Sequence, residues 1–318
     1  MNAYQTYYPR PLLKRDSFFS LCGTWKLNNQ DIEVPFPPES DLSGYKGPLG
    51  TLTPTELVQL AKQQGLSALA LTDHNTSAGL KEFMEAGKDS GVITVPGCEL
   101  STEWKGKEIH VVGLFFKEKY WAEVEDFVEL MHIAKRNSNE TLIKNLNNAG
   151  YEVSFEECAA LTDAAEFNRA HIARVLVAKG YVESVSQAFD ELLKEGKGFY
   201  VPAKRLQTIA AIRFIKVFGA TAIMAHPLLN LTYNEMREFL PLGKDAGLDA
   251  IETHYTEFDE EMTRTAESLA KEFGLKQSGG SDFHGATKPG ISLGTGRGSL
   301  YVPYRFYEDM LGCSTYED

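Results

Sequence analysis

Cysteine is scarce in this chain, and the few cysteines lie far apart. The 318 residues include four of them, at positions 22, 98, 158 and 313, and no Cys-x-x-Cys pair occurs. Secreted domains that depend on disulfides carry denser and more closely spaced cysteines. We therefore exclude a disulfide scaffold and expect the chain to work in a reducing compartment.

Long hydrophobic runs are also missing. No apolar run approaches the roughly 18 residues that a membrane-spanning helix needs. Residues 1–20 lack the basic segment and apolar core of a secretory signal peptide. We expect no membrane association and a cytoplasmic location.

Positive charge is in deficit. The chain has 32 Lys and Arg residues against 44 Asp and Glu residues, which gives a formal net charge of −12. A surface that binds nucleic-acid backbone over a broad area needs an excess of positive charge. We expect no such surface, although a local basic or metal-lined pocket could still bind a phosphate group.

Acidic and histidine residues repeatedly follow short apolar runs. The run at 67–71 ends in Thr72, Asp73 and His74. The same residue types follow later runs, at Glu99, at His226, at Glu252 with His254, and at Asp282 with His284. Strand ends of this kind gather at one mouth of a β/α barrel, and carboxylates mixed with imidazoles suit transition metals. The pattern predicts metal-ligand chemistry at a barrel mouth.

Strand and helix signals alternate on both sides of a helical stretch. Strands are predicted at 67–73, 92–99, 221–225, 250–254 and 275–278, with a hairpin of arms 101–104 and 108–116. Helices are predicted from Pro54 and at 78–89, 208–218, 234–246 and 257–273, and the stretch between carries helices at 121–149, 154–159, 168–179 and 184–194. Such alternation indicates an α/β chain with a parallel sheet or barrel. We predict a barrel from 50–119 and 208–318, a helical insertion at 120–207 and an atypical segment at 1–49.

Short motifs lie along residues 50–300. They are Leu-Thr-Pro-Thr-Glu-Leu at 52–57, Ala-Leu-Thr-Asp-His-Asn at 70–75, Gly-Cys-Glu-Leu-Ser at 97–101, Ile-His-Val-Val-Gly at 109–113, Arg-Ala-His-Ile-Ala at 169–173, Ala-His-Pro at 225–227 and Gly-Ser-Asp-Phe-His-Gly at 280–285. Together they resemble the PHP (polymerase and histidinol phosphatase) family of metal-dependent phosphoesterases, in the branch that hydrolyses small nucleotides and short oligonucleotides. The resemblance implies a distorted (β/α)7 TIM-like barrel with the helical insertion over its mouth.

The resemblance also implies a metal centre. That branch uses three ions of the Mn, Fe or Zn type, and we expect one to three divalent ions here. The implied ligands are Glu99, His110 and His226 for one metal with Glu99 bridging, His74 and His284 for a second, and Asp282 with Glu99 for a third. Glu99, Asp282 and His284 are the implied catalytic residues. Such ions lower the pKa of a bridging water and neutralise the phosphoryl group.

The resemblance breaks before residue 50. The family opens with a His-x-His strand and an Asp, and those places hold Leu42, Gly44 and Leu49. None of these side chains binds metal, so the second and third metal positions each keep only the two ligands named above. Asp31, Glu33, Glu39 and Asp41 are nearby acidic residues whose use as replacements stays open. We expect impaired catalysis.

Residues 1–44 instead resemble the start of the sugar-binding domain of family 2 glycoside hydrolases. The matching motifs include Tyr-Pro-Arg-Pro at 8–11, Gly-Thr-Trp at 23–25 and Val-Pro-Phe at 34–36. The segment is too short for the complete β-sandwich of such a domain, so a sugar-binding role does not follow. A gene fusion that overwrote the first PHP strand explains both observations.

Several residues carry two interpretations. Arg169 and His171 stand where helix 168–179 begins, so they either cap it or clamp a phosphate, since a guanidinium group and a helix N-terminus both favour anions. Asp73 is interpreted as an orienting partner of an imidazole, His254 as a strand cap and His132 as a surface or packing residue of the helical insertion.

Three functions compete on this evidence. The leading hypothesis is a phosphoesterase that uses metal-activated water on a small phosphorylated substrate, in particular a nucleotide. The second is a metal- and phosphate-binding PHP protein with weak or no catalysis, because the first-strand ligands are gone. The third, a carbohydrate-binding fragment, rests only on the short N-terminal match. Metal content and a phosphatase assay separate the first two.

Overall fold

The structure, a computed structural model, describes residues 23–27, 30–34, 50–161 and 167–316, the first two ranges by their backbone alone. The chain divides into two units, residues 1–45 and 46–318, which are described separately. In the first unit, strands β1 (Gly23–Leu27) and β2 (Gln30–Val34) pair antiparallel. Leu42, Gly44 and Leu49, together with Glu39 and Asp41, lie outside the described residues, as do the side chains of Asp31 and Glu33.

The second unit is built on a six-stranded sheet. Its strands are β3 (Ala68–Leu71), β4 (Ile93–Trp104), β5 (Lys107–Leu114), β6 (Thr221–Met224), β7 (Ala250–Tyr255) and β8 (Lys276–Gly280), hydrogen-bonded in that order. The pairs β3–β4, β6–β7 and β7–β8 are parallel, and β5 is antiparallel to both of its neighbours. The predicted α/β class is confirmed. The described residues supply six strands of this sheet, and the expected count of seven stays a prediction.

Strand β4 differs from the sequence prediction. The separate strand at 92–99 and hairpin arm at 101–104 are one continuous strand, which turns into β5 through Lys105 and Gly106. Both turn residues have positive φ, 51° and 78°, the backbone that a two-residue hairpin turn requires. This hairpin places β5 antiparallel in a sheet that otherwise follows β/α order.

Helices cover the sheet. They are α1 (Pro54–Gln63), α2 (Leu80–Gly87), α7 (Thr208–Val217), α8 (Pro227–Asn230), α9 (Tyr233–Ala246), α10 (Glu260–Phe273) and α11 (Tyr304–Leu311). Helix α1 begins as its sequence predicts, with Thr53 in a capping box with Glu56 and proline in the first turn. The largest core packs apolar residues of β4, β5 and β6 against α7, α9 and α10.

Four helices lie between β5 and α7. They are α3 (Trp121–Asn148), α4 (Phe155–Ala159), α5 (Arg169–Ala178) and α6 (Val185–Ala188), and a π-helical turn, Phe189–Leu193, continues α6. Val124 and Val128 of α3 belong to the main core, whereas Leu142 and Leu146 belong to a separate core shared with α5. Helix α3 therefore joins the sheet to the helical stretch. None of the described helices combines the length and apolar character of a membrane span.

Candidate functional site

The buried carboxylate of Glu99 is the centre of a cluster of histidines. Glu99 lies on β4 and is only 5% exposed. Its Oε1 is 2.8 Å from Nδ1 of His110 and 3.4 Å from Nε2 of His226, and its Oε2 is 3.5 Å from Nδ1 of His74. The Glu99 carboxylate on β4 is therefore surrounded by His110 from β5, His74 from the segment after β3 and His226 from the segment after β6.

The cluster continues to the end of β8. His284 Nε2 lies 3.3 Å from His74 Nε2, and His284 Nδ1 lies 2.8 Å from the backbone oxygen of Asp282. Oδ1 of Asp282 is 3.3 Å from His284 Nδ1. The structure thus brings together all six residues that the sequence predicts as ligands. Three of them, His74, Glu99 and His110, have potential ligand atoms within 4.8 Å of one another.

Sheet register explains why Glu99 meets His110. On the β4–β5 hairpin, Ser101 stands opposite His110 and Glu99 opposite Val112. Side chains two residues apart on a strand share a face, so Glu99 and His110 are diagonal neighbours within reach of each other. The two-residue turn at Lys105 and Gly106 fixes this register.

The charges of the cluster are coupled. Burial alone would raise the pKa of Glu99, but hydrogen bonds from His110 and His226 hold that pKa well below its usual range. Burial lowers the pKa of His74. Burial also opposes the charge on His110, yet hydrogen bonds to Glu108 and Glu99 raise its pKa to about 9. The result is an ionised carboxylate held among imidazoles, which is a suitable environment for a cation.

Two of the clustered residues have strained backbones. His226 has φ 29° and Asp282 has φ 50°, and Asn75, directly after His74, has φ 52°. Non-glycine residues rarely adopt this region, and such strain concentrates at functional sites. The backbone N–H of His226 donates to Oε2 of Glu252 at 2.7 Å, which helps to hold the unusual conformation.

The imidazole of His226 provides a test of whether a metal fits. Among the described residues its Nδ1 is buried and has no hydrogen-bond partner. A buried polar atom without a partner is costly, whereas an ion beside the ring could satisfy it. Two carboxylates and four imidazoles are also the donor types that Mn²⁺, Fe²⁺ and Zn²⁺ take. The residues fit a divalent ion.

Four residues of the site were not predicted as ligands or partners. Glu252 lies against His226 and accepts from its backbone N–H, and desolvation of the Glu252 carboxylate raises its pKa to about 7. The Tyr255 hydroxyl donates to Oδ2 of Asp282 at 2.8 Å, Lys288 Nζ lies 2.5 Å from the same oxygen, and Glu108 Oε1 is 3.0 Å from His110 Nε2. The position of Glu252 directly after an apolar run, within β7, was a usable signal. Lys288 and Tyr255 carry no local signal, because their roles depend on contacts across the sheet.

Arg169 and His171 begin helix α5 as expected. His171 completes a capping box, with its Nδ1 accepting from the Asn168 backbone N–H at 3.0 Å. Arg169 does not cap the helix. Its Nη1 donates to the Leu193 backbone oxygen at 3.0 Å, and its guanidinium group lies 4.1 Å from the Tyr200 ring centroid.

His132 and His254 contact residues other than the six predicted metal ligands. His132 Nε2 is 2.8 Å from the backbone oxygen of Asn75, so this histidine contacts the segment behind β3 rather than serving only to pack α3. His254 packs against Phe306 and lies 3.9 Å from a carboxylate oxygen of Glu267.

A cavity of about 540 Å³ opens beside the cluster. The lining residues include His74, Glu99, His226, Asp282, His284, Tyr301 and Tyr304. Pockets for small ligands commonly have this size, with a few polar groups on a largely apolar wall. The cavity thus leads from an apolar, aromatic wall to the histidine cluster.

Comparison with known proteins gives a consistent result. A PHP domain model matches residues 43–204. The chain is 37% identical over 236 residues to a 5′-3′ exoribonuclease of Haemophilus influenzae, covering 74% of this chain and 85% of that protein. It is 29% identical over 247 residues to a 3′,5′-nucleoside bisphosphate phosphatase of Chromobacterium violaceum, covering 77% and 86%.

Two solved structures share the fold. One, described as a metal-dependent phosphoesterase from Bifidobacterium adolescentis, has a TM-score of 0.63 at 24% identity and covers 84% of this chain and 92% of that one. The other, described as an amidohydrolase from Chromobacterium violaceum with bound sulfate and no metal, has a TM-score of 0.61 at 27% identity and covers 83% and 92%.

Proposed function

The chain belongs to the PHP domain family and is a metal-dependent phosphoric ester hydrolase; from that premise we propose that it acts on phosphate esters of nucleotides or short oligonucleotides. The observation that carries the proposal is the cluster of two carboxylates and four imidazoles around buried Glu99. The relatives named above act on RNA and on nucleoside bisphosphates, which supports this substrate class.

We propose that Glu99 is shared between metal positions. His110 and His226 contact one of its oxygens and His74 contacts the other, so each oxygen has its own set of imidazoles. Asp282 and His284 extend the donor set beyond His74. Bound divalent ions of the Mn, Fe or Zn type would activate water and neutralise phosphoryl charge.

The protein's own residues orient these donors and the substrate. Tyr255 and Lys288 both contact Oδ2 of Asp282, which leaves Oδ1 on the His284 side. The Lys288 ammonium group adds a fixed positive charge at the edge of the cluster, where a phosphate would enter. The aromatic wall of the cavity offers surfaces on which a nucleobase can stack.

Arg169 and His171 are proposed to bind the phosphate. They lie in the first turn of α5, where backbone N–H groups and a guanidinium group favour an anion. A guanidinium group carries five N–H donors, so the bond from Nη1 to Leu193 leaves donors for a substrate.

A second candidate is a PHP protein that binds metal and phosphate but turns over slowly. Leu42, Gly44 and Leu49 stand where the family carries its first-strand ligands, and this observation favours reduced activity. The candidate keeps the same site and changes only the rate.

The test combines metal content with turnover. Purified protein loaded with Mn²⁺ is analysed for metal and assayed on a nucleotide 3′,5′-bisphosphate and a short oligonucleotide. We expect His226→Ala to lose most of the metal, because a firm site of this kind needs three protein ligands. Unchanged metal content in that variant would overturn the assignment, and metal binding with negligible turnover would favour the second candidate.

A further inference from the structure

Helix α3 reaches the segment that follows β3 through the carboxylate of Glu125. Its Oε2 accepts from the Ser77 backbone N–H at 2.5 Å and lies 2.7 Å from the Ser77 hydroxyl. The Thr76 hydroxyl lies 3.0 Å from Oε1 and 3.2 Å from Oε2. Thr76 and Ser77 are 8% and 6% exposed and Glu125 is half-buried, so these contacts are partly shielded from water. One carboxylate from α3 thus accepts hydrogen bonds from the polar groups of two buried loop residues.

His132 makes a second contact from the same helix. It lies two helical turns beyond Glu125, on the same face of α3. Its Nε2–H donates to the Asn75 backbone oxygen at 2.8 Å. Asn75 directly follows His74 and has the left-handed φ of 52°. The contact therefore holds the strained residue beside a proposed metal ligand.

Strand β4 holds the other side of this segment. The Asn75 backbone N–H donates to the Glu99 backbone carbonyl oxygen at 2.8 Å, and the Glu99 backbone N–H donates to the Asp73 backbone carbonyl oxygen at 3.1 Å. The Asn75 side chain accepts from the Ser101 N–H at 3.0 Å. The segment carrying His74 is thus held between the strand that bears Glu99 and helix α3.

We propose that Glu125 and His132 are positioning residues that set the orientation of His74 for metal binding. The loop has no regular secondary structure of its own, so its geometry depends on the groups that satisfy its polar atoms. Helix α3 also shares a core with α5, which carries Arg169 and His171. The same helix therefore links the metal cluster to the proposed phosphate-binding turn. This inference rests on the proposed metal role of His74.

The experiment measures Mn²⁺ affinity by calorimetric titration of the full chain. Glu125→Ala and His132→Leu remove the two contacts. Each should weaken Mn²⁺ binding by about 10- to 100-fold, the loss typical of partners that orient a metal ligand. Glu125→Gln and His132→Gln keep an acceptor and a donor of similar reach and should recover most of the affinity. Glu123→Ala, an exposed glutamate on the same helix, is the matched control and should bind Mn²⁺ normally.

A double-mutant cycle separates positioning from general destabilisation. If Glu125 acts through His74, Glu125→Ala should have little further effect on Mn²⁺ affinity in a His74→Ala background. Losses of Mn²⁺ affinity that add up in the double variant, or unchanged affinity in both single variants, would overturn the inference. If Glu125→Ala does not fold, the same cycle is measured with His132→Leu and His74→Ala. Failure of the proposed function is distinguishable: the unmodified chain would then bind no Mn²⁺, and the inference would fall with it.

Discussion

At the scale of single residues, the buried carboxylate of Glu99 sets the character of the site. A carboxylate removed from water must be paired, and Glu99 is paired with imidazoles rather than with lysine or arginine. Imidazoles can release their protons to water when a cation binds their nitrogens, whereas a guanidinium group cannot. The pairing therefore leaves the cluster able to exchange protons for metal.

The pKa of His110 predicts how the stability of the metal-free protein depends on pH. Its pKa is raised from 6.5 to about 9 in the folded state by hydrogen bonds to Glu108 and Glu99, against the effect of burial. A raised pKa gives stability that is fully present below pH 6.5 and lost as pH rises through 9. We expect the free energy of unfolding to fall across this window by about 3 kcal/mol from this residue.

Urea unfolding in EDTA, repeated from pH 6 to pH 9.5, measures this loss. His110→Gln is the control, because it keeps a polar side chain but cannot titrate, and its stability should vary less over the window. An identical pH dependence in the two proteins would show that His110 is not held protonated by its neighbours.

Residue types and spacing predicted which side chains meet, but not what surrounds them. His74, Glu99, His226, Asp282 and His284 follow apolar runs, and that local pattern was enough to predict their convergence. The roles of Lys288, Tyr255 and His132 depend on contacts between elements far apart in the chain. A single histidine within a helical pattern carries no information about which loop it will contact.

At the scale of elements, the β4–β5 hairpin determines whether Glu99 and His110 can meet. A slip of one residue in this register would turn His110 to the opposite face of the sheet. The sequence predicted a hairpin with arms at 101–104 and 108–116. It did not predict that the preceding strand continues into it, because apolar runs alone do not show where a strand bends or ends.

The turn glycine gives a direct test of the hairpin's contribution. Gly106 has φ 78°, and no heavy atom of the described residues lies within 4 Å of the place that a Cβ atom would take. A larger residue would therefore be penalised by backbone strain. Gly106→Val should lower the free energy of unfolding by about 1–2 kcal/mol and weaken Mn²⁺ binding. Urea denaturation and metal titration measure the two effects.

Gly312→Ala is the control for this substitution. Gly312 has φ −64° and ordinary contact distances, so alanine fits there without strain. Equal effects of the two substitutions would contradict the assignment of positive-φ strain to the hairpin turn.

At the scale of the whole molecule, the absence of the family's first-strand ligands from the sequence predicts an incomplete metal centre. The family resemblance was predictable from motifs behind the strands, and the comparisons confirm it. The effect of Leu42, Gly44 and Leu49 on the site stays a prediction, because these residues lie outside the described part of the chain.

Replacing residues 1–49 with a family-like strand that carries His-x-His and Asp tests this prediction. We expect more metal per chain and faster hydrolysis of a nucleotide 3′,5′-bisphosphate, because added ligands complete the positions that Asp282 and His284 begin. The same replacement with alanines at the three ligand positions is the control. Equal metal content and turnover in the natural chain and the ligand-bearing replacement would show that the natural segment does not limit the site.

The most direct test of the central claim is metal content and phosphoesterase activity in Glu99→Gln. Glu99 contacts His74, His110 and His226, and glutamine keeps its shape while removing the negative charge that a shared cation requires. Elemental analysis after Mn²⁺ loading and assay on a nucleotide 3′,5′-bisphosphate should show that the unmodified chain holds at least one ion and hydrolyses the substrate, while Glu99→Gln loses most of both. Full metal content and unchanged turnover in Glu99→Gln would contradict the assignment of this cluster as the metal centre.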